Sequence, residues 1–251
     1  MEFFLRVEYA EISLLGGREE NQDRVAAAVS EHAALLVVVD GMGGHANGAK
    51  AAEVTQQVVL DAFGQAAHPL FDPMGFLHLT LGRAHEEVVK LGAQLPIEHR
   101  PRATCAVCLV QQGAAWWAHI GDSRLYHLRH GSLVSRSRDH SHVELLLREG
   151  LITADQAQNH PMRNFVECCL GGDPIVPDMT LARRRQLEPN DVLLVCTDGF
   201  WAGVKDSEIA SEVGAPGVPL KEKLLELAQR AVVRTGAASD NTSVAALRWV
   251  G

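Results

Sequence analysis

The hydrophobic pattern of this 251-residue chain is clearest at residues 35–39, where five apolar residues stand in a row. Three of the five are valines, and a run of this kind is typical of a strand buried on both faces. The run ends on Asp40, and Gly-Met-Gly-Gly-His follows. Glycines there let backbone carbonyl oxygens approach whatever the carboxylate holds. Because an Asp at a strand end can also cap a turn, the run alone leaves both interpretations open.

Similar short apolar runs recur along the chain and predict a fold rich in strands. Short turns separate most neighbours, as at residues 111–113, which indicates antiparallel hairpins and not a βαβ series. The first hairpin should place Asp23 beside Asp40. The predicted strands cover residues 7–15, 24–29, 35–39, 103–110, 114–120, 125–128, 133–135, 178–187, 191–197 and 243–250.

Apolar residues repeat at helical spacing just after His45, over residues 72–93 and over residues 219–233. Asn47 is a candidate N-cap for the first of these helices. Asp206 is a candidate cap for a shorter helix, and His85 is interpreted as a partly buried residue of the second long helix.

Residues 139–172 differ from the rest, because they contain short amphipathic turns and little continuous apolar sequence. Surface segments of this kind often carry specificity. We interpret them as a flap within a single domain that spans residues 1–251, since no linker interrupts the sequence.

The formal net charge of −8 argues against nucleic acid or an acidic membrane surface as a partner. Residues 1–9 lack the apolar core of a signal peptide, and no apolar stretch approaches the roughly 20 residues of a membrane span. We therefore expect a cytoplasmic protein with reduced thiols.

Cys105 and Cys108 form a C-x-x-C pair, which in other settings indicates a zinc or redox site. Here the pair lies in a predicted strand, and residues three apart on a strand point to opposite faces. Core packing is therefore the favoured interpretation, and the same holds for the remaining cysteines.

Acidic residues recur beside the predicted strands, each at a strand end or in a polar turn: Asp23, Asp40, Asp122, Asp198 and Asp240. Carboxylates that converge repel one another unless cations or protons compensate. Oxygen ligands suit Mg²⁺ or Mn²⁺ better than zinc, and a pair of such cations can activate water and polarise a phosphoryl oxygen. Arg18 is the candidate for binding phosphate oxygens, and a solvated surface charge is its alternative interpretation.

In this order and spacing the motifs resemble those of the PPM family of metal-dependent serine/threonine protein phosphatases (type 2C), in its compact bacterial form. The resemblance extends from Arg18 to the last predicted strand. It rests on Arg18 with Asn21-Gln22-Asp23, residues 39–44 (Val-Asp-Gly-Met-Gly-Gly), Thr104, residues 121–124 (Gly-Asp-Ser-Arg), residues 197–199 (Thr-Asp-Gly) and Asp240-Asn241.

The resemblance implies an α+β fold, a four-layer α-β-β-α sandwich of two antiparallel sheets flanked by helices. It also implies two core Mn²⁺ or Mg²⁺ ions and a third, weaker one. Phosphorylated proteins, the products of a serine/threonine kinase, would be the substrates of a monomeric enzyme. By this resemblance, Asp40 would bridge two metals, and Gly41 would give its backbone carbonyl to one of them. Asp23 would bind the second metal directly or through its water, and Asp198 and Asp240 would complete the first metal's shell. Asp122 would bind the third metal, which Asp198 could share, and Arg18 would bind the substrate phosphate.

Two positions depart from the family pattern. Met42 stands where many members have a histidine that is proposed to protonate the leaving alcohol, and a thioether carries no proton. Metal-bound water is then the expected acid, with His45 as an alternative donor. Gln22 replaces a frequent Glu near Asp23. These departures keep a second hypothesis open, a catalytically weak phosphatase-like module that binds phosphoproteins, and a phosphatase for small molecules or phospho-aspartate would share the same chemistry.

Overall fold

The computed structural model describes residues 5–42, 46–158 and 160–251, so His45 and its two preceding glycines lie outside the described residues. Strands and helices alternate in groups along the chain. In order they are β1 (Val7–Leu14), β2 (Asp23–Val29), β3 (Ala33–Met42), α1 (Ala46–Gln65), α2 (Pro73–Leu91), β4 (Arg102–Gln111), β5 (Ala114–Ile120), β6 (Arg124–Arg129), β7 (Ser132–Arg136), α3 (His142–Arg148), α4 (Ala154–Gln158), β8 (Leu170–Gly171), β9 (Thr180–Gln186), β10 (Val192–Cys196), α5 (Asp198–Trp201), α6 (Asp206–Val213), α7 (Leu220–Thr235) and β11 (Thr242–Trp249).

The strands form two antiparallel sheets. The first has the order β1-β11-β10-β6-β7, and the second has the order β2-β3-β4-β5-β9 with β8 paired to β4. The hairpins expected from the short turns are present, since β2 pairs with β3 and β4 pairs with β5. The predicted antiparallel fold is thereby confirmed.

Apolar packing divides the molecule into four layers. On β3, Leu35 and Val37 belong to the cluster that α1 and α2 cover, whereas Leu36 and Val38 belong to the cluster between the two sheets. A third cluster, which includes the fully buried Leu224, holds α5, α6 and α7 against the outer face of the first sheet. Burial on both faces of the central strands explains why their sequences are continuously apolar rather than alternating.

The paired cysteines follow the prediction. Cys105 packs on the helix side of β4 and Cys108 packs between the sheets, and the cysteines are free thiols. Burial raises the pKa of both thiols well above the usual range. An inert packing role for this C-x-x-C pair follows from its position.

Several local predictions are wrong by small margins. β3 continues to Met42, because Gly41 and Met42 still pair with β4, so Asp40 lies within the strand and not at its end. α1 begins at Ala46, which places Asn47 inside the helix rather than at its N-cap. Asp206 is likewise the first residue of α6 and not its cap. His85 is fully buried, not partly buried as expected, and its Nδ1 accepts a hydrogen bond from the Gly171 backbone N–H at 3.1 Å.

The segment 139–172 connects β7 of one sheet to β9 of the other. It carries α3, whose N-cap Ser141 accepts a hydrogen bond from the Glu144 N–H, and none of the α3 residues is fully buried. Within the described ranges, none of the helices has the length and apolar character needed to cross a bilayer.

Candidate metal and phosphate site

The site begins with a pair of acids on adjacent strands. Asp23 on β2 is the direct partner of Asp40 on β3 in the antiparallel register. Directly opposed residues in such a pair have Cβ atoms only about 5 Å apart. Asp23 is 3% exposed, so the two carboxylates meet at a largely buried end of the second sheet.

The first sheet contributes acids from the ends of its two central strands. β10 ends at Cys196, opposite Val244 near the start of β11. Asp198 follows β10 as the first residue of α5, and Asp240 precedes β11. Because the carboxyl end of β10 lies beside the amino end of β11, both acids stand at the same edge of the sheet.

Asp122 comes from the turn between β5 and β6, and only 6% of it is exposed. Its backbone carbonyl accepts a hydrogen bond from the indole Nε1 of Trp201 at 3.0 Å. The turn is closed by a buried hydrogen bond of 2.7 Å between the hydroxyls of Thr104 and Ser123.

Burial and mutual repulsion raise the pKa values of these acids. Desolvation raises the pKa of Asp23 to about 7 and that of Asp122 to about 8, and the negative charge of Asp198 adds to both effects. The pKa of Asp40 rises well above its usual range, first through burial and then through the charges of Asp198 and Asp23. The structure thus brings the predicted acids together across both sheets.

The donor chemistry fits hard divalent cations. The acids and the nearby backbone offer oxygen atoms, which Mg²⁺ and Mn²⁺ prefer. Among the residues that the structure describes, no three His, Cys, Asp or Glu side chains close around one point as a ready-made cage. Mg²⁺ commonly binds one or two carboxylates and keeps several waters, so acids that do not form a closed cage can still hold it.

Arg18 lies at the rim of this cluster. Its Nη2 donates to Asp240 Oδ2 at 2.6 Å, and 56% of its side chain is exposed. The loop that carries it is held by Asn241, whose amide Nδ2 donates to the carbonyls of Leu15 and Glu20 at 2.8 and 3.0 Å. The side-chain oxygen of Asn241 also accepts the N–H of Gln22 at 2.8 Å. The arginine is therefore fixed beside an acid and still open to solvent.

Gly41 is required by close packing. A Cβ at this position would collide with the backbone carbonyl of Gly48 in α1 and would stand 2.9 Å from the carbonyl oxygen of Gln22. The start of α1 thus lies directly against β3 next to Asp40. The sequence predicted that glycine lets the backbone come close to a ligand here. It did not indicate that the packing of α1 also requires a residue without a side chain.

Sequence reasoning missed the hydrogen bonds that orient the acids. The hydroxyl of Thr197 donates to Asp23 Oδ2 at 2.8 Å and accepts the N–H of Ser243 at 3.0 Å. Thr197 is fully buried, so this contact joins the two sheets directly under the site. A threonine just before an Asp-Gly pair was the available signal.

A second missed contact links the segment 139–172 to the acids. Arg124 makes a bidentate ion pair with Asp139, with N–O distances of 2.9 and 2.7 Å. The guanidinium also stacks 3.6 Å from the ring centroid of Trp201, the side chain that holds the Asp122 carbonyl. Nothing local in the sequence pairs residues 124 and 139.

A set of oxygen donors between two sheets, with an arginine at its rim, belongs to a protein that works with hard divalent cations and an anionic ligand. Comparison with known proteins identifies the particular family. A family model described as Protein phosphatase 2C matches residues 15–239. The chain belongs to the protein phosphatase 2C family.

Relatives support this assignment over nearly the whole chain. A putative protein phosphatase 2C-type of Streptococcus pyogenes serotype M6 is 32% identical over 234 residues, which are 91% of this chain and 91% of that protein. The serine/threonine protein phosphatase PstP of Mycobacterium tuberculosis is 32% identical over 232 residues. These residues are 90% of this chain and only 42% of PstP, so the chain spans less than half of that relative.

Solved structures show the same fold. The Mycobacterium tuberculosis serine/threonine phosphatase PstP/Ppp has a TM-score of 0.83 at 28% identity, covering 98% of this chain and 99% of that chain. The serine/threonine phosphatase of S. agalactiae has a TM-score of 0.84 at 26% identity, covering 98% and 100%. The catalytic domain of PstP in complex with two manganese ions has a TM-score of 0.82 at 27% identity, covering 98% and 99%. The predicted α-β-β-α sandwich is confirmed.

Proposed function

We propose that this chain is a metal-dependent protein-serine/threonine phosphatase that hydrolyses phosphoserine and phosphothreonine with water as the nucleophile. The observation that carries the proposal is the cross-strand pair of Asp23 and Asp40 facing Asp198 from the other sheet. The names of its relatives and the manganese complex of a structural neighbour support the same reaction.

The acids divide into groups by position. Asp40, Asp23, Asp198, Asp240 and the carbonyl of Gly41 would hold two Mn²⁺ or Mg²⁺ ions, and Asp122, with Asp198, would hold a third, weaker one. When bound, such ions supply a strong nucleophile from water at neutral pH and polarise the phosphoryl oxygens. Without cations the carboxylates repel one another, so the site favours the binding of positive charge.

Arg18 binds and orients the phosphate. A guanidinium carries five N–H donors in a planar fork, so the side chain can keep its bond to Asp240 and still contact two phosphate oxygens. The ion pair with Asp240 limits its rotamers, which lowers the entropy lost when the substrate binds.

Protonation of the leaving group does not depend on the residue after Gly41. Met42 pairs with Arg102 at the end of β3, and its thioether has no proton to donate. The serine or threonine alkoxide therefore takes its proton from water. His45, the alternative donor, lies outside the described residues.

Other features remain predictions from the sequence: the single domain with its flap at 139–172, an opposing serine/threonine kinase, a monomeric state and a cytoplasmic location. The position of Asp139 supports the flap, since it anchors the start of that segment beside Asp122.

The test is hydrolysis of p-nitrophenyl phosphate with Mn²⁺, with EDTA and in Asp40→Asn. EDTA should abolish turnover, and Asp40→Asn should lower kcat/KM by more than the roughly 10- to 100-fold typical of losing an outer-shell partner of a metal. Asp61→Asn, an exposed acid on α1, is the matched control and should retain native activity.

Activity that persists in EDTA or in Asp40→Asn would refute the mechanism. Titration calorimetry with Mn²⁺ distinguishes the enzyme from the alternative, a phosphatase-like binding module. Failure to bind Mn²⁺ would favour that module, whereas Mn²⁺ binding accompanied by turnover of a phosphothreonine peptide supports the enzyme.

A further inference from the structure

A cleft of about 500 Å³, lined in part by Asp139, opens near the acidic site. It lies between the edge strands β7 and β9, where the two sheets separate, and α3 forms one wall. Trp117 contributes to its floor. No step of the proposed hydrolysis uses this cleft.

Three of the four arginines that line the cleft have no carboxylate partner among the described residues, the exception being Arg136, which pairs with Asp206. Arg138, Arg148 and Arg185 all contribute to its walls, and none of them forms an ion pair with an acid in the described part of the chain. Arg185 instead lies 5.8 Å from the ring centroid of Trp117. Two more arginines precede it on β9, so positive charge is concentrated along this edge although the chain carries a net charge of −8.

The acids of the cleft are largely engaged elsewhere. Asp139 is held by Arg124, and Glu167 Oε1 accepts a hydrogen bond from His142 Nδ1 at 3.0 Å. Glu144 and Asp178 also line the walls. The cleft therefore presents a mixed surface in which the unpaired arginines outnumber the unpaired carboxylates. Such a surface suits a peptide with acidic side chains better than a small inorganic anion.

The cleft is continuous with the turn that carries Asp122. The backbone N–H of His140 donates to the carbonyl of Gly121 at 2.9 Å, and the Gly121 N–H donates back to His140 Nδ1 at 3.3 Å. His140 lines the cleft, and Gly121 directly precedes Asp122. A peptide whose phosphorylated residue lies over the acids can thus continue into this cleft.

We propose that the cleft binds acidic side chains of the protein substrate, in the segment that flanks the phosphorylated residue. The inference rests on the proposed phosphatase function and adds a substrate class to it. Guanidinium groups recognise carboxylates through paired N–H donors, and three uncommitted arginines around one opening can bind more than one Asp or Glu of the same segment.

The test compares phosphothreonine peptides that are identical except for a flank of glutamates, glutamines or lysines. In the native protein with Mn²⁺, kcat/KM for the glutamate peptide should exceed that for the glutamine peptide about tenfold, because a single exposed charge pair is worth up to about fivefold in affinity. In the triple variant Arg138→Gln/Arg148→Gln/Arg185→Gln this ratio should fall to about one. Added NaCl should reduce the ratio in the native protein only.

Arg83→Gln is the matched control, because Arg83 is an exposed arginine on α2 that does not line the cleft. It should keep the native preference. A native ratio near one, or a triple variant that keeps the preference, would overturn the proposal. A preference lost equally in Arg83→Gln would reduce it to a general charge effect and would also overturn it.

Binding without turnover separates this inference from the proposed function. The unphosphorylated glutamate and glutamine peptides, labelled with a fluorophore, are titrated with the protein and followed by anisotropy. Stronger binding of the glutamate peptide that the triple variant abolishes supports the cleft, even if no peptide is hydrolysed. Equal binding of both peptides by an active phosphatase would refute the cleft alone.

Discussion

At the scale of single residues, the site depends on side chains that hold the acids and the Arg18 loop in place. Thr197 sends one hydroxyl across the interface between the sheets to Asp23, and Asn241 holds the loop of Arg18 through several backbone groups. Such contacts orient the carboxylate and the guanidinium before any ligand binds, so little reorganisation is needed during the reaction.

Replacing Thr197 with valine should weaken metal binding. The variant keeps the shape of the side chain and removes the donor to Asp23, and the loss of an outer-shell partner typically costs about 10- to 100-fold in metal affinity. The measurement is the Mn²⁺ concentration that gives half-maximal hydrolysis of p-nitrophenyl phosphate. Thr197→Ser retains the hydroxyl and should behave as native, and a valine variant with an unchanged Mn²⁺ requirement would contradict the role assigned to the hydroxyl.

Replacing Gly41 with alanine should destabilise the strand end. The new methyl group would meet the backbone carbonyl of Gly48, which cannot move without shifting α1, and overpacking of this kind costs about 1–3 kcal/mol. Gly64→Ala in the same helix is the control, because a Cβ there meets nothing within 4 Å and should stabilise by up to about 1 kcal/mol. Thermal unfolding of both variants measures the difference, and equal Tm values would exclude the packing argument.

At the scale of secondary-structure elements, a buried ion pair is one of the contacts that couple the segment 139–172 to the acidic site. The side chains of Arg124 and Asp139 are only 13% and 7% exposed, so the pair is buried and its two halves depend on each other. Through Trp201 the same arginine contacts α5, the helix that begins at Asp198.

Replacing Asp139 with asparagine should release the start of this segment. Removal of one partner from a buried ion pair costs about 3–5 kcal/mol, because the other charge is left uncompensated. We expect faster hydrogen exchange at the amides of residues 139–148 and a lower Tm. Asp155→Asn, in α4 of the same segment, removes an exposed charge and is the control. Unchanged exchange in Asp139→Asn would show that other contacts hold the segment.

The sequence predicted these elements well where burial repeats locally. The unbroken run at 35–39 indicated burial on both faces, and β3 indeed contacts helices on one side and the first sheet on the other. The hairpin prediction placed Asp23 beside Asp40 in the observed register. Contacts between residues far apart, such as that of Thr197 with Asp23, depend on how the sheets stack, and no local pattern encodes this.

The same limit applies to the helix starts and to the site. Asn47 and Asp206 have the composition of caps, yet α1 begins at Ala46 and α6 begins at Asp206, two residues and one residue earlier than these caps predict. The acids themselves could be chosen from sequence because their chemistry is unusual beside buried strands. The ion pair of Arg124 and Asp139 could not, since both residue types are common on surfaces.

At the scale of the whole molecule, the site stores electrostatic repulsion that opposes folding in the absence of metal. Burial and neighbouring charges raise the pKa of Asp198 to about 6, that of Asp23 to about 7 and that of Asp122 to about 8. The metal-free folded protein therefore holds more protons than the unfolded chain between the usual carboxyl pKa and these values.

Stability should then depend on pH in a direction set by these protons. Because the folded state binds more protons, the free energy of unfolding of the metal-free protein should fall as the pH rises from about 4 to about 8. Mn²⁺ binds the deprotonated acids, so the gain in Tm from added Mn²⁺ should grow over the same range. Thermal unfolding at several pH values, in EDTA and in excess Mn²⁺, measures both trends. A metal-free protein that becomes more stable over this range would contradict the assignment.

The position of β11 has a consequence for how the protein comes into being. This strand lies between β1 and β10 in the first sheet. Asp240 lies just before it in the sequence. Both follow every other described element in the order of synthesis. A growing chain that has reached only α7 therefore lacks an interior strand of the first sheet, one acid and the Asn241 anchor of the Arg18 loop, so the site is complete only once β11 has left the ribosome.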